Sequence, residues 1–429
     1  MILNDIYFEV RFMKNTLLRY NLIILFLFCR LGLAQVSAEA PIIVCEKYPL
    51  NTFTEVQGPD FRKLKTSVKT SNITVDFTDF PEAAKKPFLE AVSVWESILI
   101  SRIPIKIKTS WESINATTLA STGSNRVYRD FSNSALKNVW YPPALAEAIS
   151  GKNLNEENHE LTITVNKNIA WSYSTNGAKE NFKYDLMTVI IHEIAHGIGF
   201  LTSMKLGSLN ENQGEWGISG FPIIYDVFVQ NGNKQFLTSS TLFGNPSLDL
   251  KTNMTGGNLF FNIENKAFKD DLPKMYAPSL FRSGGSISHL DEIKYPKGSA
   301  NSLMSPQIGI AEINHFPGPI ILAILNQMGW PVNFYSGSVV TSLVGQENTE
   351  KYILFPNPVV NEFKLIIPAK YEGEIVKINI IDNSGRLIFE DKYLNEGIKS
   401  LYLNSLSSGN YYCHITIGNT QKVIPIFKY

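Results

Sequence analysis

The sequence contains little cysteine, with three residues in a chain of 429. Cys29 lies in an N-terminal apolar segment directly behind Phe28, where a lipid-attachment motif requires a small residue, so a lipoprotein is not indicated. Removal of that segment leaves Cys45 and Cys413 at opposite ends of the chain. This spacing excludes a small scaffold held together by several disulfides.

An excess of charge of either sign is also absent. Lysine plus arginine and aspartate plus glutamate each number 39, so the formal net charge is zero. A neutral balance gives no electrostatic reason to expect nucleic acid as a partner. Apolar residues make up 44% and charged residues 18%, which is typical of a globular chain rather than a disordered one. A chain of this length can hold more than one domain.

The N-terminus has the features of an export signal. A basic start is followed by the apolar run NLIILFLF at 21–28 and then by small residues. Because that run is too short to span a bilayer comfortably, we predict a signal peptide over residues 1–34 and no stable membrane span. Met13 is an alternative start, since Asp5 and Glu9 before it are atypical of an export signal. An N-terminal membrane anchor is the other interpretation.

Two periodicities alternate early in the chain. Apolar side chains recur at every second position in 73–77 and 103–107 and at helical spacing in 84–99, which predicts a strand, a helix and a strand. A further strand is predicted at 161–165 and a late helix at 320–328. Helices and strands mixed in this way predict an α+β domain.

Composition and periodicity divide the chain further. An N-terminal segment over 35–71 precedes a first domain, predicted over 72–335, and an insert of poor periodicity lies within it at about 204–288. A linker is predicted at 336–351. Short apolar runs separated by turn residues then predict a small antiparallel β-sandwich over 352–429.

The segment DLMTVIIHEIAHGI, residues 185–198, predicts one helix with Asp185 as its N-cap and glycines at its end. Most of its circumference is apolar. The remaining stripe contains His192 and His196, with Glu193 beside it. Because residues four apart lie one turn apart on the same face, the two imidazoles can hold one cation.

This arrangement is the HExxH pattern of zinc hydrolases. A catalytic zinc keeps three protein ligands and one open position for water. The metal polarises the scissile carbonyl and acidifies the water, and a carboxylate next to the first histidine can accept the proton. We therefore predict one catalytic Zn2+ held in part by His192 and His196, with Glu193 as general base. An ordinary amphipathic helix with a solvent-facing polar stripe is the other interpretation of this short pattern.

A third protein ligand must come from elsewhere in the chain. In the compact pattern of one large clan it follows six residues after the second histidine, where this sequence has Thr202, a poor ligand. Gly199 nevertheless occupies the glycine position of that pattern, where the chain turns sharply out of the helix. The remaining candidates are two histidines and two glutamates: His289, His315, Glu211 and Glu215.

The sequence around His289 is SISHLDE, and SLMSP with Met304 follows shortly afterwards. A late histidine paired with a methionine turn resembles leishmanolysin-like metzincins, in which an inserted subdomain separates the helix glycine from the third histidine. The resemblance covers about Ile73 to Trp330 and includes the phrases HEIAHGIGF, YDVFV, MYAPSLF and LNQMGW. It implies a metzincin-like zinc protease domain with an inserted subdomain. The site residues that it implies are the zinc ligands His192, His196 and His289, the catalytic Glu193, and Met304 as the hydrophobic floor beneath the metal.

The sequence departs from these relatives at two points. Leu290 follows the third histidine, where relatives often carry an aromatic residue, and the disulfide-forming cysteines of the protozoan members are absent. No substrate preference is therefore carried over. Cys45 has two interpretations: a thiol that caps the zinc in a latent state or, as is commoner for a lone cysteine, a small apolar side chain in the core.

The segment from Tyr352 resembles the type IX secretion sorting domain of Bacteroidetes. It has the matching phrases FPNP at 355–358 and GNYY at 409–412. Such domains are β-sandwiches that direct export across the outer membrane and are often removed afterwards. The resemblance implies the type IX secretion machinery as a partner and a secreted or cell-surface location. A carbohydrate- or protein-binding sandwich is the alternative.

Together these features predict a secreted or cell-surface zinc-dependent endopeptidase that hydrolyses a protein or peptide substrate. One alternative is a non-catalytic zinc-binding surface adhesin on a metalloprotease scaffold, against which the intact Glu193 argues. Another is a structural zinc, which would require a closed site with a fourth ligand that the sequence does not obviously supply.

Overall fold

The structure is a computed structural model, and it describes residues 36–56, 70–332 and 352–428. Within these ranges the description leaves out the following positions: 125, 156–157, 265–267, 269–270, 356–358, 360–361, 372, 383, 396–397, 404–405, 408 and 419. The predicted signal peptide at 1–34 and the predicted linker at 336–351 lie outside the described residues.

The part up to residue 332 combines helices and strands. The strands are β1 (Val36–Ala38), β2 (Ile42–Asn51), β3 (Ile73–Thr78), β4 (Ile105–Glu112), β5 (Thr118–Ser124), β6 (Val127–Arg129), β7 (Leu161–Asn166), β8 (Trp171–Ser172), β9 (Tyr184–Asp185), β10 (Lys205–Leu206), β11 (Gly214–Glu215), β12 (Val229–Asn231), β13 (Leu259–Phe261) and β14 (Gln307–Ile310). The helices are α1 (Glu82–Ile98), α2 (Pro143–Ser150), α3 (Leu186–Gly197), α4 (Leu248–Met254) and α5 (Pro319–Met328), with a 3-10 turn at Asp226–Phe228.

A six-stranded sheet in the order β14-β2-β5-β7-β4-β3 organises this part. β3, β4 and β7 are parallel, β5 runs antiparallel to β7, and β2 runs antiparallel to β5. β14 then pairs in parallel with β2. The alternation of β7 explains its central position, because Leu161, Ile163 and Val165 point to one face and are fully buried.

Helix α3 packs against this sheet at β5 and β7 and against helix α1. A Cβ atom at Gly197 would lie 2.5 Å from Cδ1 of Leu161, so only glycine permits this approach of helix and strand. Trp95 of α1 donates its indole N–H to the Ile191 carbonyl at 3.1 Å. Trp330, which follows α5, donates to the Ile198 carbonyl at 2.7 Å. The helix is therefore held along its length and at its end.

Most predicted elements of this part are present, with shifted ends. The strand predicted at 103–107 begins at Ile105, because Pro104 has no N–H to give to a sheet and Ile103 is held in a local turn by Ser101. The last helix begins at Pro319, whose ring suits the first helical position. The segment predicted as an insert contains mostly strands of two or three residues, which are too short to show a period.

The N-terminal segment, for which no element was predicted, contributes a long strand to the central sheet. β2 lies between β5 and β14, so residues from both ends of the first part meet beside it. No periodic signal marks it, because the run IIVCEKY is apolar on both faces at its start.

The C-terminal part consists of antiparallel sheets. Its strands are β15 (Ile353–Phe355), β16 (Glu362–Ile366), β17 (Ile375–Asp382), β18 (Leu387–Leu394), β19 (Ile398–Tyr402), β20 (Gly409–Ile417) and β21 (Thr420–Lys428), with a 3-10 turn at Ala369–Tyr371. They form one sheet of order β15-β16-β19 and one of order β18-β17-β20-β21. Both sheets contribute to a single buried cluster that includes Phe363, Ile378 and Cys413. Cys413 thus fills the core of this part as a free thiol.

None of the helices in the described ranges has the length and apolar character that a bilayer crossing requires. The N-terminal apolar run on which the signal-peptide prediction rests is outside those ranges.

Candidate metal centre

Helix α3 presents two of the candidate ligands on one face. Asp185 is its N-cap, as predicted, and accepts a hydrogen bond from the backbone N–H of Thr188 at 2.8 Å. The helix ends at Gly197, and Gly199 then has φ of +129°, a backbone conformation that favours glycine. The Nε2 atoms of His192 and His196 lie 3.0 Å apart.

His289 completes a triad with this pair. Its Nε2 lies 3.2 Å from Nε2 of His196 and 3.3 Å from Nε2 of His192. The backbone on both sides of it is hydrogen-bonded: its carbonyl accepts from Tyr276 N–H, and the Leu290 N–H donates to the Met304 carbonyl, each at 2.8 Å. The structure therefore brings together the three histidines that the resemblance implied.

The rival ligands lie elsewhere. His315 Nε2 is 2.7 Å from Oδ1 of Asp185, at the N-terminus of the helix, and so engages the N-cap. Glu215 pairs with Lys205 at 3.2 Å on the β10–β11 hairpin. Glu211 is exposed in the loop of that hairpin. Among the described histidine, cysteine and acidic residues, the groups that could hold a metal ion do not include these three.

The outer nitrogen of each imidazole faces a backbone carbonyl. Nδ1 of His192 lies 2.8 Å from the Leu303 oxygen, Nδ1 of His196 2.6 Å from the Phe200 oxygen, and Nδ1 of His289 2.7 Å from the Gly285 oxygen. A carbonyl only accepts, so each Nδ1 carries the proton and each neutral ring keeps a bare lone pair on Nε2. The three Nε2 contacts are therefore not hydrogen bonds. Three lone pairs converge on one point.

This triangle has the size of a metal site. Zinc–nitrogen bonds of about 2.0–2.1 Å in a tetrahedron place the ligand nitrogens about 3.3–3.4 Å apart. The observed separations of 3.0–3.3 Å are close to that edge. A cation at the centre also removes the repulsion between the converging lone pairs.

The protonation states agree with such a site. Burial lowers the pKa of His192 to about 4 and, together with the neighbouring His192, that of His289 to about 3. Burial, followed by the other two rings, holds the pKa of His196 well below its usual range. All three rings are thus neutral near pH 7, which is the form that binds metals.

Glu193 lies beside the triad and is fully buried. Its Oε2 accepts a hydrogen bond from the hydroxyl of Thr122 on β5 at 2.5 Å. Its Oε1 has no hydrogen-bond partner within the described part of the chain. Burial raises the pKa of Glu193 to about 8, against the opposing effect of the Thr122 bond. Thr122 was not identified from the sequence, because nothing distinguishes it from other strand threonines.

Met304 is fully buried in the turn that follows His289. The turn is closed by a 3.1 Å hydrogen bond from the Ser305 N–H to the Ser302 carbonyl. Within it, the Leu303 carbonyl is the group that holds His192, and the Met304 carbonyl accepts from the residue after His289. The turn therefore connects two of the three ligands, whereas the role of the Met304 side chain as a floor stays a prediction.

Two neighbouring side chains, Asp226 and Tyr225, connect the segment after helix α3 to the loop that carries His289. Asp226 accepts from the hydroxyl of Thr202 at 2.5 Å and from the hydroxyl of Ser203. Burial raises the pKa of Asp226 to about 6. Its neighbour Tyr225 donates its hydroxyl to the Ile287 carbonyl at 2.9 Å, two residues before the third histidine. The phrase YDVFV is part of the sequence resemblance, but the contacts of its tyrosine and aspartate cannot be predicted from the sequence because they depend on the fold.

The thiol of Cys45 lies on the Glu193 side of the triad. One ligand atom each from Cys45, His192 and Glu193 lie within 4.8 Å of one another. Cys45 is fully buried, and burial followed by the Glu193 carboxylate raises the pKa of its thiol well above the usual value. Cys45 is therefore both a buried core side chain and a neighbour of the candidate site. Each of its two interpretations matches one of these observations.

Two regions of the chain match known protein families. Residues 353–427 match the Secretion system C-terminal sorting domain. This supports type IX secretion sorting and hence export to the cell surface or the medium. Residues 140–279 match the SPBPB7E8-like family, a description that names no activity. That match contains helix α3 and ends before His289. No curated protein matches the chain.

Proposed function

We propose that the protein is an exported zinc-dependent endopeptidase. The observation that carries the proposal is the convergence of three neutral imidazole nitrogens at 3.0–3.3 Å beside the buried carboxyl group of Glu193. Three nitrogen ligands leave a fourth tetrahedral position open, which is the arrangement of catalytic rather than structural zinc. The resemblance to leishmanolysin-like metzincins supports the same assignment.

A bound zinc ion would supply Lewis acidity, which polarises a peptide carbonyl and acidifies water. His192, His196 and His289 would hold it, and their backbone carbonyl partners keep each ring in the required tautomer and orientation. The cation would also favour the ionised form of Glu193, against the effect of burial, and the carboxylate would then accept the proton of the attacking water and return it to the leaving amine. Its two oxygens suit this division, since Oε2 is held by Thr122 and Oε1 is without a protein partner in the described residues.

The test combines zinc analysis with hydrolysis of an unfolded protein, with and without a chelator. The full chain is assayed, because strand β2 borders the site and is part of the central sheet. We expect one zinc per chain and chelator-sensitive hydrolysis. Glu193→Gln should retain the zinc and lose at least ~10²-fold in rate, the scale of general-base removal.

His289→Ala should lose stoichiometric zinc, and His414→Ala on β20 of the C-terminal part is the matched control that should keep it. Retention of one tightly bound zinc by His289→Ala would refute the ligand set. Zinc binding without hydrolysis in any form of the chain would favour the adhesin instead.

A further inference from the structure

The turn that holds His192 belongs to a loop whose two ends, at Lys297 and Gln307, meet. Nζ of Lys297 donates to the Gln307 carbonyl at 2.5 Å, and the hydroxyl of Ser305 donates to the same oxygen at 3.0 Å. The Leu303 carbonyl, which accepts from Nδ1 of His192, lies between these two ends in the sequence. Lys297 therefore closes the base of the loop that presents this carbonyl.

The base of the loop is connected to the turn through one residue. Ser305 donates its hydroxyl to the Gln307 carbonyl and its N–H to the Ser302 carbonyl. Leu303 and Met304 lie inside that turn, and the Met304 carbonyl accepts from the residue after the third histidine at 2.8 Å. A displacement of Gln307 would therefore displace the backbone groups that contact two of the three ligand segments.

Besides the Gln307 carbonyl, the ammonium group of Lys297 has two partners. Oε2 of Glu312 lies 3.0 Å from Nζ, and the centre of the Tyr48 ring lies 4.9 Å from it. The side chains of Lys297 and Glu312 are 16% and 2% exposed, so the ion pair is largely removed from water. The loss of hydration offsets most of the attraction between two such charges, which leaves the geometry that they fix as their main contribution.

Glu312 is bonded to the strand that follows the turn. Its Oε2 also accepts from the Gly309 N–H of β14 at 2.7 Å, and its own N–H donates to the Gly309 carbonyl at 3.3 Å. Between them Ala311 has φ of +55°, a left-handed conformation that an alanine keeps only where its surroundings hold it. The Ala311 N–H donates to the Lys183 carbonyl at 2.9 Å, directly before β9 and helix α3. The carboxyl group that engages Lys297 thus also fixes a strained segment beside the start of the metal-binding helix.

We propose that Lys297 and Glu312 are positioning residues of the candidate metal centre. Their ion pair fixes the loop that presents the Leu303 carbonyl, and it thereby sets the orientation of His192 and the affinity for the cation. Neither side chain belongs to a group of described residues that could hold a metal ion, so both act through the loop. The proposal rests on the metal centre of the proposed function but not on the reaction catalysed there.

The experiment measures zinc affinity of the full chain by competition with a chelator. Lys297→Met keeps an unbranched side chain and removes the donor to the Gln307 carbonyl. Loss of a group that orients a metal ligand typically costs about 10- to 100-fold in affinity, and we expect the lower end, ~10-fold, because Lys297 acts through the loop. Lys294→Met is the matched control, since Lys294 also donates to a carboxyl group, that of Asp271, and to a carbonyl, that of Leu272 at 3.0 Å. Neither partner belongs to the turn, so the control should keep the wild-type affinity.

A double variant separates positioning from a general loss of stability. Lys297→Met alone leaves the buried carboxyl group of Glu312 without its cation, which should lower the midpoint of a denaturant titration. Lys297→Met combined with Glu312→Gln removes that charge and keeps an acceptor for the Gly309 N–H, so the midpoint should return towards the wild-type value. Zinc affinity should stay ~10-fold weaker in both variants, because neither restores the donor to the Gln307 carbonyl.

Two results would overturn the positioning role. One is a zinc affinity that recovers together with stability in the double variant, since the ion pair would then only stabilise the fold. The other is an unchanged affinity in Lys297→Met. Both leave the endopeptidase assignment intact, because the wild type still binds zinc in each case. A wild-type chain that binds no zinc would instead refute the metal centre, and the positioning role with it.

Discussion

Replacement of Thr122 by valine tests how Glu193 is held. The substitution keeps the shape of the β5 side chain and removes the hydroxyl that donates to Glu193 Oε2 at 2.5 Å. A bound cation beside Glu193 would favour its ionised form, so the Thr122 bond would then be one to a charged group, worth about 1.5–3 kcal/mol. Without it the carboxylate would be free to rotate away from the water that we propose it deprotonates. Since each 1.36 kcal/mol is a factor of ten in rate, we expect a ~10- to 100-fold fall.

The assay is the rate of hydrolysis by the full chain, with zinc content measured on the same samples. Zinc content should not change, because the Thr122 hydroxyl bonds to Glu193. Thr164→Val on the neighbouring strand β7 is the control, since Thr164 accepts a hydrogen bond from Ser110 at 3.3 Å. An unchanged rate in Thr122→Val would refute the orienting role. A loss of zinc would show that the substitution disturbs the ligands instead.

Three further predictions address the surroundings of the site. Burial and a neighbouring carboxylate raise the pKa of Glu147 from 4.5 to about 7, so the folded state keeps a proton that the unfolded state releases. The free energy of unfolding should then fall by roughly 1–3 kcal/mol between pH 4.5 and 7, and Glu147→Gln should abolish that fall in denaturant titrations. Gly197→Ala should destabilise the fold by about 1–3 kcal/mol in the same titrations, because the new Cβ would lie 2.5 Å from Leu161; an unchanged midpoint would contradict the packing. Tyr225→Phe should weaken zinc binding by ~10- to 100-fold in competition with a chelator, because it frees the Ile287 carbonyl beside the ligand loop, and full affinity would show that this bond is dispensable.

The helix that carries His192, Glu193 and His196 could be predicted from the sequence because its signals are local. The N-cap Asp185, the apolar circumference and the spacing of His192 and His196 all lie within fourteen residues, 185–198. Local periodicity likewise predicted α1, β3 and β7. The choice of His289 came from a resemblance of the phrases around it, since spacing alone left four candidates open.

The surroundings of the site could not be predicted, because they depend on pairing between distant segments. The insertion of β2 between β5 and β14 joins residues near 45 to residues near 120 and 308, and no periodicity records such a pairing. The roles of the Phe200, Gly285 and Leu303 carbonyls could not be predicted for another reason. Every residue carries a carbonyl, so only its position in space makes one a partner for an imidazole.

Those three carbonyls belong to three separate loops, which only the folded chain brings to the imidazoles. We therefore expect the affinity for a cation to depend on folding. In an unfolded chain the Nε2 atom of His289 is not held near His192 and His196, and no carbonyl fixes the tautomer of either ring. The binding free energy of the ion is then added to that of folding itself, so titrating the apoprotein with metal should raise its melting temperature. A chain that has not yet folded, as during passage through an export channel, would carry the ligands but not the centre.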